Sequence, residues 1–231
     1  MNRVHFRDLG TIPYDKALAF QERAFEAVAA EKKTGGKDCG TDSCQVFILC
    51  EHPHVYTLGK SGRASNLLIN EETLKKIDAQ FYQTNRGGDI TYHGPGQVVG
   101  YPVFDLDSMK IKVREYIWML EQSVISFLRD YNLDARRLEG ATGVWLDPDI
   151  PGRARKICAI GVRISRYVTM HGFALNINTD LKYFRYINPC GFNDKDVTSL
   201  QKETGQLYDM AKIRDGVRHH IANVFKISWI D

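Results

Sequence analysis

Apolar residues recur along this chain in two rhythms, one helical and one extended. "PYDKALAFQERAFEAVAAEKK" has the helical period, with Tyr14, Leu18, Phe25 and Val28 on one stripe. "VREYIWMLEQSVISFLRDYN" has it more strongly, through Val113, Ile117, Leu120, Val124 and Phe127. A third helix is predicted over "YDMAKIRDGVRHHIANVF", with Met210, Ile213, Val217, Ile221 and Val224 facing the core. Between the helices lie β-type runs. "QVFILCEH" reads as a buried strand and "HVYTLGK" as a short one closing on glycine. "DITYHGPGQVVGYPVFDL" reads as two β segments joined by a Gly-Pro-Gly turn, and "GVWLD", "KICAIGVRI" and "VTMHGFALNIN" follow as further β runs. Strands come in hairpin-like groups instead of alternating with helices. That pattern predicts an α+β fold with a mixed, largely antiparallel sheet flanked by helices.

Composition narrows the class. The 231 residues are 43% hydrophobic and 26% charged, which predicts one sizeable core and a single domain over 1–231. A net charge of +3 is too mild for a nucleic-acid protein, but it is compatible with an acidic protein partner. "MNRVHFRDLG" contains no apolar signal segment, and runs such as "VFILC" are far shorter than a membrane span. The expected compartment is the cytoplasm, where five cysteines are expected as free thiols. "TGGKDCGTDSC", with Cys39 and Cys44, reads as a polar surface loop. Cys50 reads as a buried small hydrophobe.

Several stretches carry candidate chemistry. "RGGDITYHGPGQ" packs glycines around Thr91, Tyr92 and His93 behind Arg86, which suits a binding loop as well as a tight turn. It is neither a Walker A loop nor a dinucleotide fingerprint. His52 and His54 stand two apart around Pro53, too few ligands for zinc, and a strand-end turn is the expected role. His219 and His220 are adjacent on a helix and cannot chelate together. "INPCGF" puts Cys190 on a bend between proline and glycine. A nucleophilic thiol needs a cation or base nearby, and Lys156 and His171 are candidates. Lys156 equally suits a solvated strand end, and His171 a hydrogen-bonded strand position. Cys158, two residues after Lys156, would share its strand face and is a rival thiol.

Taken together, "CEHPHVYTLGK", "NRGGDITYHGPGQVVGYPVFDL", "GATGVWLD", "RKICAIGVRISRYVTMHGFALNIN", "INPCGF" and "VTSL" resemble the lipoyl(octanoyl) transferases, relatives of the lipoate and biotin protein ligases. The resemblance implies the ligase-type catalytic fold. It also implies transfer of an octanoyl group from octanoyl-acyl carrier protein to a lysine of lipoyl domains. The acceptors implied are the lipoyl domains of 2-oxoacid dehydrogenase E2 subunits and the glycine cleavage H protein. It makes Cys190 the acyl-carrying nucleophile and Lys156 the residue that activates it. Substrate-binding positions would be Arg86, Gly87, Gly88, Asp89, Ile90, Thr91, Tyr92 and His93, then Ala159, Ile160 and Gly161, then Gly172, Phe173 and Ala174. No cofactor, metal, nucleic acid or membrane is implied, and a monomer is expected. An ATP-dependent ligase on the same fold would dispense with Cys190. A non-catalytic binding module would form no acyl adduct, and a thioesterase using Cys190 with His171 would release free octanoate. Arg86, Arg153, Arg155 and Lys156 are the basic residues expected to meet acidic partners.

Overall fold

The computed structural model describes residues 2–34, 44–188 and 195–230. Among them a main sheet runs in the order β12 (Ile227–Ile230), β1 (Asn2–Thr11), β2 (Val46–Glu51), β6 (Gln97–Val103), β10 (Val168–Asn176), β9 (Arg155–Ser165), β8 (Ala141–Leu146) and β7 (Ala135–Leu138). From β2 to β7 each neighbouring pair is antiparallel, whereas β1 runs parallel to both β12 and β2. A second sheet holds β4 (Gln80–Gln83), β3 (Val55–Leu58) and β5 (Ile90–His93) in that order. The α+β architecture with a largely antiparallel main sheet is the one the strand grouping predicted. The edge strand β12 and its neighbour β1 were not foreseen. Of β1 only Val4 is fully buried, so the strand carries almost no apolar alternation.

Helices cover both faces of the main sheet. On one face, α3 (Val113–Arg129) and α5 (Met210–Phe225) bury Leu120, Val124, Val217 and Ile221 against Phe47, Val98, Val144 and Leu175. On the other, α1 (Tyr14–Thr34) sets Ala17 and Val28 against Ile48, Val99, Tyr101 and Ala174. The predicted stripes need correction at several positions. In α3 the first turn stays outside: Val113 is 42% exposed and Tyr116 takes the core position. In α5 Phe225, not Val224, closes the core. In α1 the buried line is Tyr14, Ala17, Gln21 and Val28, while Leu18 and Phe25 lie at its margin. Hydrophobicity could not flag Gln21. Its buried place is explained by the backbone N–H of His171, which donates to Gln21 Oε1 at 3.0 Å.

The Gly-Pro-Gly turn forms, with Gln97 N donating to Gly94 O, but its arms do not make a hairpin. β5 pairs with β3 in the small sheet, whereas β6 pairs with β2 and β10 in the main one. Gly96, at φ +78, makes the departure possible, since a Cβ there would meet the Asn178 carbonyl at 2.7 Å. The crossing parts the two sheets and leaves a cleft between them. The expectation of free thiols is also corrected: Cys44 is disulfide-bonded. Compartment statistics weigh whole chains, whereas a bridge depends on the approach of one pair.

Candidate active site

The floor of the cleft follows from side-chain size. Ala159 opposes Ala174 across the β9–β10 ladder, and Gly161 opposes Gly172. Nothing larger than a methyl group stands on these four positions, so the sheet is bare there. Val99 and Tyr101 of β6, with Tyr14 of α1, close one side, and Trp145 of β8 and Lys156 of β9 line the other. Residues of the Arg86–His93 segment and the 3-10 turn Leu181–Tyr186 complete a cleft of about 800 Å³. That is the size of a small-molecule site.

Glycine at 161 has a structural cause. A Cβ there would come within 2.9 Å of Gly87 O, and Gly87 N donates to Val162 O at 2.8 Å. The Arg86–Gly88 loop therefore lies directly on β9. Arg86 itself is buried and donates through Nη2 to Thr57 O at 2.6 Å and to Thr57 Oγ1 at 3.0 Å. It is a post beneath the loop, and not the surface cation expected to greet a partner. Arg155 is likewise withdrawn, with both Nε and Nη2 on Glu203 at 2.7 Å and Nη1 on Asp147 at 2.6 Å. Arg153 remains largely exposed, 3.5 Å from Asp147.

A buried relay continues from that post. Thr57 Oγ1 lies 3.2 Å from His93 Nε2, and His93 Nδ1 lies 2.9 Å from Gln97 Oε1. The Gln97 amide donates to Tyr92 O and to Asn176 Oδ1, and Asn176 Nδ2 donates to Thr198 O. Each donor meets an acceptor when His93 is neutral with its proton on Nδ1. Burial lowers the His93 pKa to about 3, helped by His52, Arg86 and His171 nearby, in keeping with that form.

Lys156 owes its direction to a β-bulge. Val144 pairs with Cys158 but Trp145 pairs with Lys156, so β9 spends two steps where β8 spends one. The extra residue reverses the alternation. Ile157 and Cys158 both enter the core, while Lys156 joins Ala159 and Gly161 along the cleft. Cys158 therefore does not share the face of Lys156. It is fully buried, and that burial drives its thiol pKa far up, which removes it as a rival nucleophile. Lys156 Nζ donates to Thr142 O at 3.2 Å and stands 4.6 Å over the Trp145 ring, whose face attracts an ammonium.

His171 lines the cleft in a left-handed conformation, φ +59, unusual for a strand residue. Its Nε2 lies 2.8 Å from Asn85 Oδ1, and burial, then Arg86 and Arg163, lowers its pKa to about 3. So weak a base is poorly suited to take a thiol proton. His52 contacts Ile12 O and the Tyr101 hydroxyl, whereas His54 contacts the Tyr92 hydroxyl and stacks on Tyr183. The two turn to different neighbours, as a strand-end turn predicts. His219 and His220 meet Asn223 and Asp130 on the far helix.

Most of the segments singled out from sequence line the cleft: Arg86, Gly88, Asp89, Ile90, Thr91 and His93, then 159–161 and 172–174. Gly87 and Tyr92 stand behind it, the one bonded to β9 and the other stacked on Tyr183. Cys190 lies outside the described residues. Its nearest described neighbours along the chain, Asn188 and Lys195, both line the cleft. Directly after them, β11 (Asp196–Val197) pairs with β9 at Arg155 and Lys156, and Thr198 N donates to Lys156 O. Trp145, Tyr14, Tyr101 and Asn176 were not singled out. Only the unusual tryptophan within an apolar β run could have drawn attention to one of them.

Residues 13–222 match the model of the lipoyl protein ligase A/B catalytic domain. A Parabacteroides distasonis octanoyltransferase is 56% identical over 97% of this chain and 100% of its own length. A Cytophaga hutchinsonii octanoyltransferase is 48% identical over 97% of this chain and 93% of its own. In shape, a bipartite lipoate protein ligase from Thermoplasma acidophilum matches with a TM-score of 0.69 at 15% identity, covering 100% of this chain and 87% of that one. The structural match shows the fold alone. A family match over most of the chain, and relatives this similar over nearly its full length, place it: the chain belongs to the lipoyl protein ligase A/B catalytic family, among the octanoyltransferases.

Proposed function

We propose that this protein, acting as one catalytic domain over residues 1–231, moves octanoyl groups from octanoyl-acyl carrier protein to a lysine of lipoyl domains through a thioester on Cys190. The observation that carries this reading is the pairing of β11 with β9 at Lys156, a few residues after Cys190, with both described flanks of Cys190 on the cleft wall. The Cys190 thiolate attacks the carrier thioester carbonyl. A new C–S bond forms, the old one breaks, and the carrier sulfur leaves as a thiol with a proton from the Lys156 ammonium. The acceptor amine then attacks the acyl-cysteine, forming an amide and releasing the Cys190 sulfur. Lys156 favours the thiolate as an ammonium, and as an amine it takes the proton lost by the attacking lysine. The trough over Ala159, Gly161, Gly172 and Ala174 holds the eight-carbon chain. The donor is already activated, so no ATP is called for. The acceptors would be lipoyl domains such as those of 2-oxoacid dehydrogenase E2 subunits and the glycine cleavage H protein, met in the cytoplasm by a monomeric enzyme.

Incubation with octanoyl-carrier protein without ATP, followed by intact mass measurement, tests this. The expected result is a gain of one octanoyl group that Cys190→Ala abolishes and Cys158→Ala retains. No adduct, or one that survives Cys190→Ala, would refute the reading.

A further inference from the structure

Trp118 lies on α3 with 49% of its surface exposed, although tryptophan is among the residues most costly to leave in water. It is held in place. The Arg137 guanidinium sits 4.6 Å over its ring, and Arg137 Nη2 donates to Trp118 O at 2.9 Å. Arg137 in turn is held by Glu121, whose Oε2 accepts from Arg137 Nε at 2.9 Å. The other oxygen of Glu121 accepts from Gly143 N at 3.0 Å. Lys156 Nζ donates to the carbonyl of Thr142, the residue directly before Gly143. A contiguous set of contacts thus leads from Lys156 at the cleft to an exposed aromatic on the surface. Between them, Gly140, Ala141 and Thr142 form the cleft margin.

We propose that Trp118 and Arg137 form the docking surface for the folded domain that carries the acceptor lysine. This rests on the transfer reading above. The choice of occupant follows from reach. A lysine amine hangs on a four-carbon stem, so the body of its domain must press against the margin beside Lys156. A carrier-borne thioester arrives on a far longer arm, and the carrier's body can sit elsewhere. Exposed tryptophan and arginine, fixed before binding, are the residue types that dominate protein interfaces. Glu121 and Gly143 couple the platform to the position of Lys156, so a docked domain would present its amine where the proton is taken.

Equilibrium titration of the unacylated enzyme with a lipoyl domain tests the surface independently of the chemistry. Trp118→Ala should weaken binding about tenfold, Trp118→Glu at least as much, and Trp118→Phe much less. In parallel, acylation of the enzyme by octanoyl-carrier protein should stay within about twofold for Trp118→Ala, and so should transfer to a small amine such as acetyl-lysine amide. Unchanged lipoyl-domain binding in the Ala and Glu variants would overturn the proposal. So would a loss of donor acylation in place of acceptor binding, or an equal loss of every readout. A dimer of this chain that Trp118→Ala dissolves would assign the face to a second copy instead. Should the unsubstituted enzyme take up no octanoyl group, the transfer reading fails while the titration still decides the surface.

Discussion

At the scale of single residues, burial separates histidines that look alike in sequence. His52, His93 and His171 are buried, and burial is the largest cause lowering their pKa values, to about 4, 3 and 3. Their ordinary value is 6.5. Folded values lie below unfolded ones, so the unfolded chain takes up protons first as pH falls. Stability is therefore lost on acidification from about 6.5 towards about 4, by roughly 1 kcal/mol per pH unit for each histidine. Urea unfolding at about pH 7 and about pH 5 measures this, with lower stability expected at the acid value. Equal stability would show that these rings are not held neutral. The two thiols in described strands, Cys50 and Cys158, are fully buried and also raised by burial. Neither competes for the chemistry assigned to Cys190.

At the scale of elements, two neighbouring strands make the trough by lacking side chains. Ala159 and Gly161 on β9 oppose Ala174 and Gly172 on β10. Chain-length preference belongs to this pair of strands. Ala174→Val adds bulk to the floor and should favour shorter acyl donors. Each methylene that loses its place costs about 0.8 kcal/mol, or roughly fourfold in kcat/KM. Acylation rates with hexanoyl and octanoyl donors give the ratio, and an unchanged ratio would mean the chain lies elsewhere. The bulge in β9 is the other decision made at this scale. It was hidden in "RKICAIG", because strict alternation puts Lys156 and Cys158 on one face. Only the pairing with β8 shows the extra residue that parts them.

At the scale of the whole molecule, the two sheets are tied by the relay from Arg86 through Thr57, His93, Gln97 and Asn176 to Thr198. Gln97 is its centre. Gln97→Leu keeps the approximate volume but leaves His93 Nδ1, Tyr92 O and Asn176 Oδ1 without their partner. The expected cost is about 3 kcal/mol of unfolding free energy, read from denaturant titration. A cost under about 1 kcal/mol would mean that water replaces the amide. Arg155, tied to Glu203 and Asp147, holds the start of β9, and Thr198 also bonds Glu203 Oε1. This fastening fixes residues 196–198 beside Lys156.

Periodicity was enough to read the three long helices, the buried strands and the α+β class, because each repeats one local rule over many residues. Motif content was enough to nominate the glycine-rich loop, the two small-residue strand segments, Lys156 and Cys190. The separation of β5 from β6 was decided only in the folded molecule, because it depends on which distant strand each one pairs with. The same holds for the burial of Gln21 and Arg86 and for the pairing of Arg155. Each takes a hydrogen-bond partner far away in sequence, in His171, Thr57 and Glu203 respectively, so hydropathy places them wrongly at the surface. The platform at Trp118 is likewise tertiary: Trp118 on α3 is linked to β8 beside Lys156 through Arg137, Glu121 and Gly143. Local rules determine what each segment becomes, and long-range hydrogen-bond satisfaction determines which segments come to share a cleft.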